Sequence, residues 1–505
     1  MFKPHIHVCK RECLILILII ALASIVRLWD LGGVGFNTDE AVYAGQSATL
    51  GGFEQFEKFF SIYRAHPLLL QFITSLLFVG FGISDTVARV VPAILGIITV
   101  PMVYFIGKEL YNKRVSMFAA LMMAIIPYNI IVSRQVLIDV SLSLFSTLTL
   151  YFILRYVKNN RGSHWLYLIG ASSGLSFLSK EVGIFALIAS LVTLLLTRRL
   201  SSKGIVIIVS SFLLASSPFW FPILTIQEAQ QTALSYWQWQ TNRDQNQPDT
   251  FYLSVIFKDA LGYTFAGAFI VSIVYLIYTG NIKRPEILVL LVWLVIPLLM
   301  FQFLPIKGYH FVMSLVPSFV LLGVSILDSE WIKKVPHHRI VLLAFVPLVL
   351  LTTGPVLGYM FQDPSPPLAG SGGIPHVREA AIWMRDNIPE DHIMLTLDAP
   401  TANIIKFYSN IEAFSLHSNK NPAYAEIVNA DLYIMSGQVH YLVSQPNIVE
   451  VSPHLKDELK KINNLVIKYN GVPIHTEYET HVEKNGQILI RPAIIIYSLE
   501  EILGE

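Results

Sequence analysis

Apolar residues in this chain fall into long blocks separated by short polar connections, rather than into the two- or 3.6-residue alternation of half-buried soluble elements. The blocks cover residues 13–29, 86–107, 115–132, 140–157, 164–179, 182–197, 204–222, 255–278, 287–304, 309–327 and 340–360. Each approaches the ~20 residues that a helix needs to cross a bilayer. The first follows Lys3, Lys10 and Arg11 as a signal peptide would, but no small-x-small cleavage site precedes Asp30, and many more blocks follow. It is read as a retained first helix. One further block, 67–82, has sixteen residues, as 164–179 and 182–197 do.

Charge placement decides what that short block does. Basic residues collect in alternate connections: Lys108, Lys113 and Arg114; Arg155, Lys158 and Arg161; Arg198, Arg199 and Lys203; Lys283 and Arg284; Lys333, Lys334 and Arg339. The positive-inside rule puts these on the cytoplasmic side with the N-terminus. The chain then has eleven crossings, and 67–82 lies in the interface or dips in and returns. Twelve crossings would put every basic cluster outside. The expectation is a multi-pass protein of the plasma membrane. Its loops 30–85 and 223–254, the turns at 133–139, 180–181 and 305–308, and the tail from Gln362 all share the non-cytoplasmic face.

The tail opens with a Pro/Gly/Ser linker over 362–374, which separates a membrane domain, 1–361, from residues 375–505. Runs 393–397, 431–436, 440–443 and 493–497 read as strands, and 377–387 and 454–462 as helices. This predicts an extracytoplasmic α/β domain. No internal repeat of the kind that builds many transporters is evident.

Composition agrees with the blocks. The 505 residues are 54% hydrophobic and 14% charged, with mean hydropathy +0.56, against about 25% charged in a typical globular domain. A net charge of +1 divided among loops forms no nucleic-acid patch. Cys9 and Cys13 both lie at the N-terminal edge, so later domains have no disulfide framework. Neither a phosphate-cradling glycine loop nor zinc-ligand spacing occurs, which argues against an ATP-driven pump and a zinc site.

Charged residues on the outer face carry the candidate chemistry. In "GFNTDEAVYAGQSATLGG" (35–52), Asp39 and Glu40 follow directly on a membrane exit. They suit a helix cap, and equally a carboxylate aimed at a substrate. Arg64 and His66-Pro67 precede the short block, as a snorkelling arginine and a helix-opening proline or as a cationic lip for an anionic head group. Arg89 stands four residues after Asp85, where an i,i+4 ion pair is the plain alternative to a functional intramembrane charge. Arg134 and Asp139 flank the second outer turn; Lys180-Glu181 and Lys307-Gly308-Tyr309-His310 add two cationic tips. So many basic residues on the sparse side of the rule resemble a phosphate site more than stray anchors. Trp237 and Trp239, with Tyr236, form an aromatic belt or stack on sugar rings.

In their order and shared face these residues resemble the C-type integral-membrane glycosyltransferases, in the branch of protein O-mannosyltransferases and lipid A aminoarabinose transferases. The resemblance rests on the Asp-Glu pair of the first outer loop, His66-Pro67 before a short apolar segment, the arginine of "ARVVPAILGIITVPMVYFIGKEL", the Ser-Arg…Asp of the second turn, and "KGYHFVMSLVP". It is densest over 30–200. It implies inverting transfer from a polyprenyl-phosphate sugar to a protein, lipid or glycan acceptor at the outer surface. Asp39 would be the base, Glu40 would support its loop, and Asp139 would orient the acceptor or, with Asp39, hold a divalent metal. Arg64, His66, Arg89, Arg134, Lys180, Lys307 and Tyr309 become candidates for the donor phosphate, and Tyr43, Trp237 and Trp239 for sugar or acceptor. Leu68 stands where the mannosyltransferases have a second proline, and an α/β tail replaces their loop domain, which points to a prokaryotic surface role. A transporter or flippase would place ionisable residues and broken helices at mid-membrane. An accessory subunit would not need intact Asp39 and Asp139.

Overall fold

The computed structural model describes residues 10–63, 66–158, 162–329, 332, 346–349, 351, 376–416, 429–482 and 486–499. The helical body comprises α1 (Lys10–Leu28), α2 (Thr38–Leu50), α3 (Leu69–Phe81), α4 (Asp85–Leu110), α5 (Lys113–Ile125), α6 (Pro127–Ser133) and α7 (Ile138–Lys158). It continues with α8 (Ser163–Ser179), α9 (Ile184–Leu196), α10 (Ser202–Thr225), α11 (Gln227–Thr241), α12 (Gly262–Tyr278), α13 (Pro285–Phe303) and α14 (Val316–Gly323). Large apolar side chains point outward from it: Leu214, Phe221 and Leu224 of α10 are 77%, 68% and 79% exposed. Such a surface has lipid as its natural solvent.

Among the described residues, five helices are long and apolar enough to cross a membrane, or seven if each of two bent pairs counts as one span. The expected count of eleven is therefore met only in part by length and composition. Several remaining elements are shorter or carry charges, and the expected span 340–360 and linker 362–374 lie largely or wholly outside the described residues. Helix α3 has 13 residues; at 1.5 Å per residue it reaches about 20 Å, short of a ~30 Å hydrocarbon core. Helices α5 and α9, within expected crossings, also have 13 residues, so length does not separate 67–82 from them.

Proline and arginine shape the centre of the body. Pro127 has no N–H, so the Met123 carbonyl one turn back loses its helical donor, and α5 and α6 are bent by 56°. Fully buried Arg27, from the last turn of α1, donates to the Met123 carbonyl at 3.2 Å and to the Ala124 carbonyl at 3.0 Å. Asn129 donates to Met123 as well. Arg134, just past α6, returns the favour: it donates to the carbonyls of Val26, Arg27, Trp29 and Asp30, where α1 ends. Orphaned carbonyls at two helix termini are thus satisfied by two arginines. Elsewhere α8 and α10 approach through Gly170 and Gly174, where a Cβ would lie 2.3 and 2.6 Å from the carbonyl oxygens of Ile208 and Phe212.

The tail is a three-layer α/β unit. It runs α15 (Val377–Asn387), β1 (Ile393–Thr396), α16 (Ala399–Ser409), β2 (Glu412–Ser415), α17 (Ala430–Met435), β3 (Tyr441–Ser444), α18 (Lys456–Lys468), β4 (Val472–Val482) and β5 (Ile488–Ser498). Strand order is β2-β1-β3-β5-β4, with β2, β1 and β3 parallel and β5 and β4 antiparallel. Parallel strands need cover on both faces. Ile434, Ile462 and Leu465 supply one side, and α15 and α16 the other. Expected strands 393–397, 440–443 and 493–497 correspond to β1, β3 and β5. The run 431–436 is instead helix α17, capped by Asn429, whose side chain accepts from the Leu432 N–H. Six apolar-rich residues suit either state, and a cap decides for helix.

Helix α16 docks this unit on the loop between α1 and α4. Phe407 packs against Phe36 and Phe56 at ring distances of 5.1 and 5.4 Å. The Tyr408 hydroxyl donates to Asp85 at 2.8 Å and accepts from the Phe36 N–H at 2.9 Å. Burial pushes the Tyr408 phenol well up, so it stays a donor. Arg378 donates to the Gly32 carbonyl and to Asp85. The apolar core runs unbroken from the helical body into α15 and α16.

Close packing under α2 gives a test. A Cβ at Gly45 would lie 2.3 Å from the ring of fully buried Phe60, whereas one at Gly80 would meet nothing within 4 Å. Gly45→Ala should lower stability by about 1–3 kcal/mol through overpacking, and Gly80→Ala should be neutral or slightly stabilising. Thermal unfolding of the two variants in the same detergent checks both.

Candidate functional site

Helix α2 begins with the sequence Asn37-Thr38-Asp39-Glu40, and its cap sorts the two acids. The Asn37 side chain accepts from the Glu40 N–H at 3.0 Å, and Glu40 accepts from the Asn37 N–H at 3.1 Å, a complete capping box. Glu40 also accepts two bonds from Arg89, both at 2.7 Å, and one from the Val136 N–H at 3.0 Å. Arg89 gives its other donors to the carbonyls of Leu31, Val34 and Gly35. All five guanidinium N–H groups are thereby used. The i,i+4 pair expected between Asp85 and Arg89 is not how these groups are held: Asp85 serves the tail and Arg89 serves Glu40.

Asp39, one residue earlier on the helix, turns the other way. It faces a cavity of about 810 Å³ and carries no hydrogen bond or ion pair to any described residue. The cavity is walled by Tyr43 and Gln46 of α2, His66, the 180–182 turn, Trp237, Trp239 and Arg243 of α11 and its loop, the 303–311 turn, and Pro400 and Asn403 of α16. Asn403 donates to the Thr38 hydroxyl at 3.1 Å. Burial first, and Asp39 second, push the Tyr43 phenol well above its ordinary range, so it is a neutral donor there.

Lys180 reaches this cavity with its ammonium 2.9 and 3.1 Å from the two oxygens of Asp139 and 3.8 Å above the Phe311 ring. Both members of the pair are nearly fully buried. His310 stands 3.6 Å from Asp139 on the other side. His66 donates from Nδ1 to Glu181 at 2.8 Å and meets the Tyr236 hydroxyl through Nε2 at 2.9 Å. Burial pushes Glu181 up, but bound His66 outweighs it and holds the carboxyl below its usual value. His66 also lines a second, apolar cavity of about 400 Å³ against Leu69, Phe72, Pro218 and Phe219.

Of the residues singled out in the sequence, Asp39, Tyr43, His66, Lys180, Trp237 and Trp239 therefore line one cavity. Glu40, Asp139, Arg89 and Arg134 stand behind it. Arg89 is saturated by Glu40 and carbonyls, and Arg134 by the end of α1, so the geometry assigns both to scaffolding and not to a phosphate. Lys307 is 3% exposed, with its ammonium 3.7 Å from Asp249, and its backbone is pinned by Asn246 through two bonds. Tyr309 bonds Gln135 and accepts at its carbonyl from Tyr128. Arg64 lies outside the described residues. As for a metal, Lys180 already occupies both oxygens of Asp139, and no group of three His, Cys, Asp or Glu side chains gathers among the described residues. That donor set does not fit a divalent ion shared by Asp39 and Asp139.

Sequence reasoning placed His310 in the 307–310 tip without giving it a role of its own, and missed Arg243, Gln240 and Asn403. Arg243, over the Trp239 ring at 4.1 Å, lies in the same polar loop as the tryptophans. Nothing local marks Asn403.

Comparison with known proteins gives the architecture its relatives. Residues 65–221 match the sequence family described as dolichyl-phosphate-mannose-protein mannosyltransferase. An uncharacterised protein of Aquifex aeolicus is 26% identical over 306 residues, a match that spans 59% of each chain. ArnT from Cupriavidus metallidurans, solved bound to undecaprenyl phosphate, superposes with a TM-score of 0.64 at 16% identity, covering 96% of this chain and 97% of that one. The Archaeoglobus fulgidus oligosaccharyltransferase AglB, in complex with an inhibitory peptide and a dolichol-phosphate, gives 0.58 at 13% identity over 96% and 74%. The fold is that of the C-type glycosyltransferases.

The assignment of Arg89 to scaffolding is testable. Removing one partner of a buried ion pair costs about 3–5 kcal/mol. Arg89→Met should therefore lower the unfolding midpoint sharply, and an Arg89→Met/Glu40→Met double variant should recover part of the loss.

Proposed function

We propose that this protein transfers a sugar from a polyprenyl-phosphate donor to an acceptor hydroxyl or amide at the outer membrane surface, with inversion and with Asp39 as general base. The observation that carries this is the unpartnered Asp39 carboxylate, facing a cavity that adjoins an apolar one at His66, within a C-type glycosyltransferase fold. A polyprenyl chain needs apolar walls and its phosphate needs cations, and the two cavities offer these side by side. The proteins of similar fold were solved with undecaprenyl phosphate or dolichol-phosphate bound, which supports the same donor class here.

In the proposed reaction the acceptor attacks the anomeric carbon as the carbon–oxygen bond to phosphate breaks. The acceptor's proton goes to Asp39, and the electron pair of the broken bond goes to the phosphate. Asp39 sits in the first turn of α2, at the positive end of the helix dipole. Lys180 supplies positive charge, partly offset by Asp139. Tyr43 is placed to donate to sugar or acceptor, and Trp237 and Trp239 to pack on sugar faces.

Eleven crossings with a cytoplasmic N-terminus and an extracytoplasmic tail complete the reading. It is supported by the basic connections and by the gathering of the 30–85, 180–181, 223–254 and 305–308 segments at one end of the helical body.

Asp39→Asn should reduce transfer by about 10²–10⁴-fold, the usual weight of a general base, with an unchanged unfolding midpoint. Turnover near that of the unaltered protein would sink the role. Sidedness is tested by impermeant thiol labelling of intact cells, in a Cys9→Ser/Cys13→Ser background. Gln247→Cys and Glu390→Cys should react from outside, and Lys203→Cys only after permeabilisation.

A further inference from the structure

Lys180 lines the larger cavity, yet its ammonium has no donor to spare. An ammonium carries three N–H groups. Asp139 engages it through both oxygens, Oδ1 at 2.9 Å and Oδ2 at 3.1 Å, and the Phe311 ring closes a third side with its centre 3.8 Å away. The ring is a wall as well as a cation–π partner, so no phosphate oxygen fits there. To bond a phosphate, Lys180 has to release an oxygen of Asp139. That carboxylate is 1% exposed, and a buried oxygen left without a donor is the costly part of breaking such a pair.

A replacement donor stands beside it. His310 Nε2 lies 3.6 Å from Oδ2, the oxygen that Lys180 holds at the longer distance. This is too far for a hydrogen bond, and a shift of less than about 1 Å would make one. The other ring nitrogen, Nδ1, is buried and makes no hydrogen bond, so no polar tie resists that shift. The ring edge facing Asp139 also passes Gly308, where a Cβ would lie 2.9 Å from Cε1 and 3.1 Å from Nε2. Glycine leaves that edge unobstructed. A carboxylate only accepts, so Nε2 carries the proton in the new bond whatever the state of Nδ1. The shift therefore needs no change of charge on the ring.

We propose that His310 is a positioning residue for the donor phosphate: it takes over Oδ2 of Asp139, and the N–H that Lys180 thereby frees turns to the phosphate. This rests on the polyprenyl-phosphate reading above. Hydrogen bonds balance in the exchange. One is lost and one gained at Oδ2, Oδ1 keeps the lysine oriented, and the phosphate gains a charged donor. Run backwards after reaction, the same exchange returns Lys180 to Asp139 and loosens its hold on the departing phosphate. In the lipid-free state His310 gives Asp139 no hydrogen bond, so its contribution arises only when phosphate is bound.

The test is binding of undecaprenyl phosphate, and separately of dolichyl phosphate, to the full-length protein in nanodiscs, with thermal unfolding of the same variants in detergent without lipid phosphate. Whichever lipid binds more tightly is carried through the variants. His310→Leu should bind about tenfold more weakly, the weight of a hydrogen bond to a charged group, with an unchanged lipid-free midpoint. His310→Gln, whose Nε2–H reaches the same place, should stay within about threefold of the unaltered protein. In an Asp139→Asn background Lys180 already has a free N–H, and His310→Leu should cost less than about twofold. An equal loss in both backgrounds, or none in either, would overturn the exchange while leaving the transferase reading intact. So would a glutamine variant as weak as the leucine one, or a lipid-free midpoint that falls along with affinity. Failure of the unaltered protein to bind either lipid phosphate would remove both readings together.

Discussion

The bidentate pair between Arg89 and Glu40 is the contact through which the cavity takes its shape. Two charges at 6% and 2% exposure forfeit several kcal/mol of hydration each, and they persist only where every donor and acceptor finds a partner. Here that condition is met. Glu40 accepts from Arg89, Val136 and its own helix cap, while Arg89 gathers the carbonyls of the 31–35 loop. One pair therefore fixes the start of α2, the loop after α1, the N-terminal end of α4 and the turn before α7. With Glu40 locked at the third helical position, Asp39 at the second is rotated about 100° away. It cannot join the same network, and so it faces open space.

The same division recurs among the cations. Buried arginines bond carbonyls and one carboxylate. Arg27 and Arg134 close the ends of α5 and α1, and the planar fork of arginine suits converging carbonyls. The groups left facing the cavity are of another kind: a lysine shared with Asp139, two histidines, and Arg243 stacked on Trp239. Apart from Arg243, which keeps its charge over the indole, each is partly neutralised or a weak base. A cavity that must receive an anionic lipid and release it after reaction is better served by such groups than by saturated guanidinium. Tight, permanent positive charge would hold the departing phosphate.

Much of this was legible in the chain because membrane topology is a strong local signal. Blocks of apolar residues and the alternation of basic connections put Asp39, Asp139, Lys180, the tryptophan loop and the 305–308 turn on one face, and the structure assembles their segments around one cavity. What was not legible is which charge meets which. Arg89 and Arg134 stood out in the sequence for being charged at membrane depth, yet their partners lie 49 and about 105 residues away. Periodicity carries no information about such pairings. The error at 431–436 has a different source: six residues are too few for a period to show, and the Asn429 cap outweighed strand propensity. The pairing of His66 with both Glu181 and Tyr236 likewise needed coordinates.

The α/β tail supplies the part of the cavity wall that no helix of the membrane body provides. Its contact with the loop between α1 and α4 is neither thin nor purely polar. Phe407 enters a cluster with Phe36, Phe56 and Phe60, and beside it Tyr408 and Arg378 satisfy Asp85. Lifting the tail would expose those rings to water and leave Asp85 buried without donors, a combination whose cost rises with each group. The Asn403–Thr38 bond lies at the edge of this contact, one residue from Asp39. The tail is thus held as a fixed wall beside Asp39; under the proposed function, lipid would enter along the apolar cavity at α3 and α10 and acceptor past the α11 loop. A site whose apolar and polar sides meet at His66, with a carboxylate and a shared lysine on the polar side, has the geometry that the proposed function needs to join a membrane-anchored donor to an acceptor arriving from water.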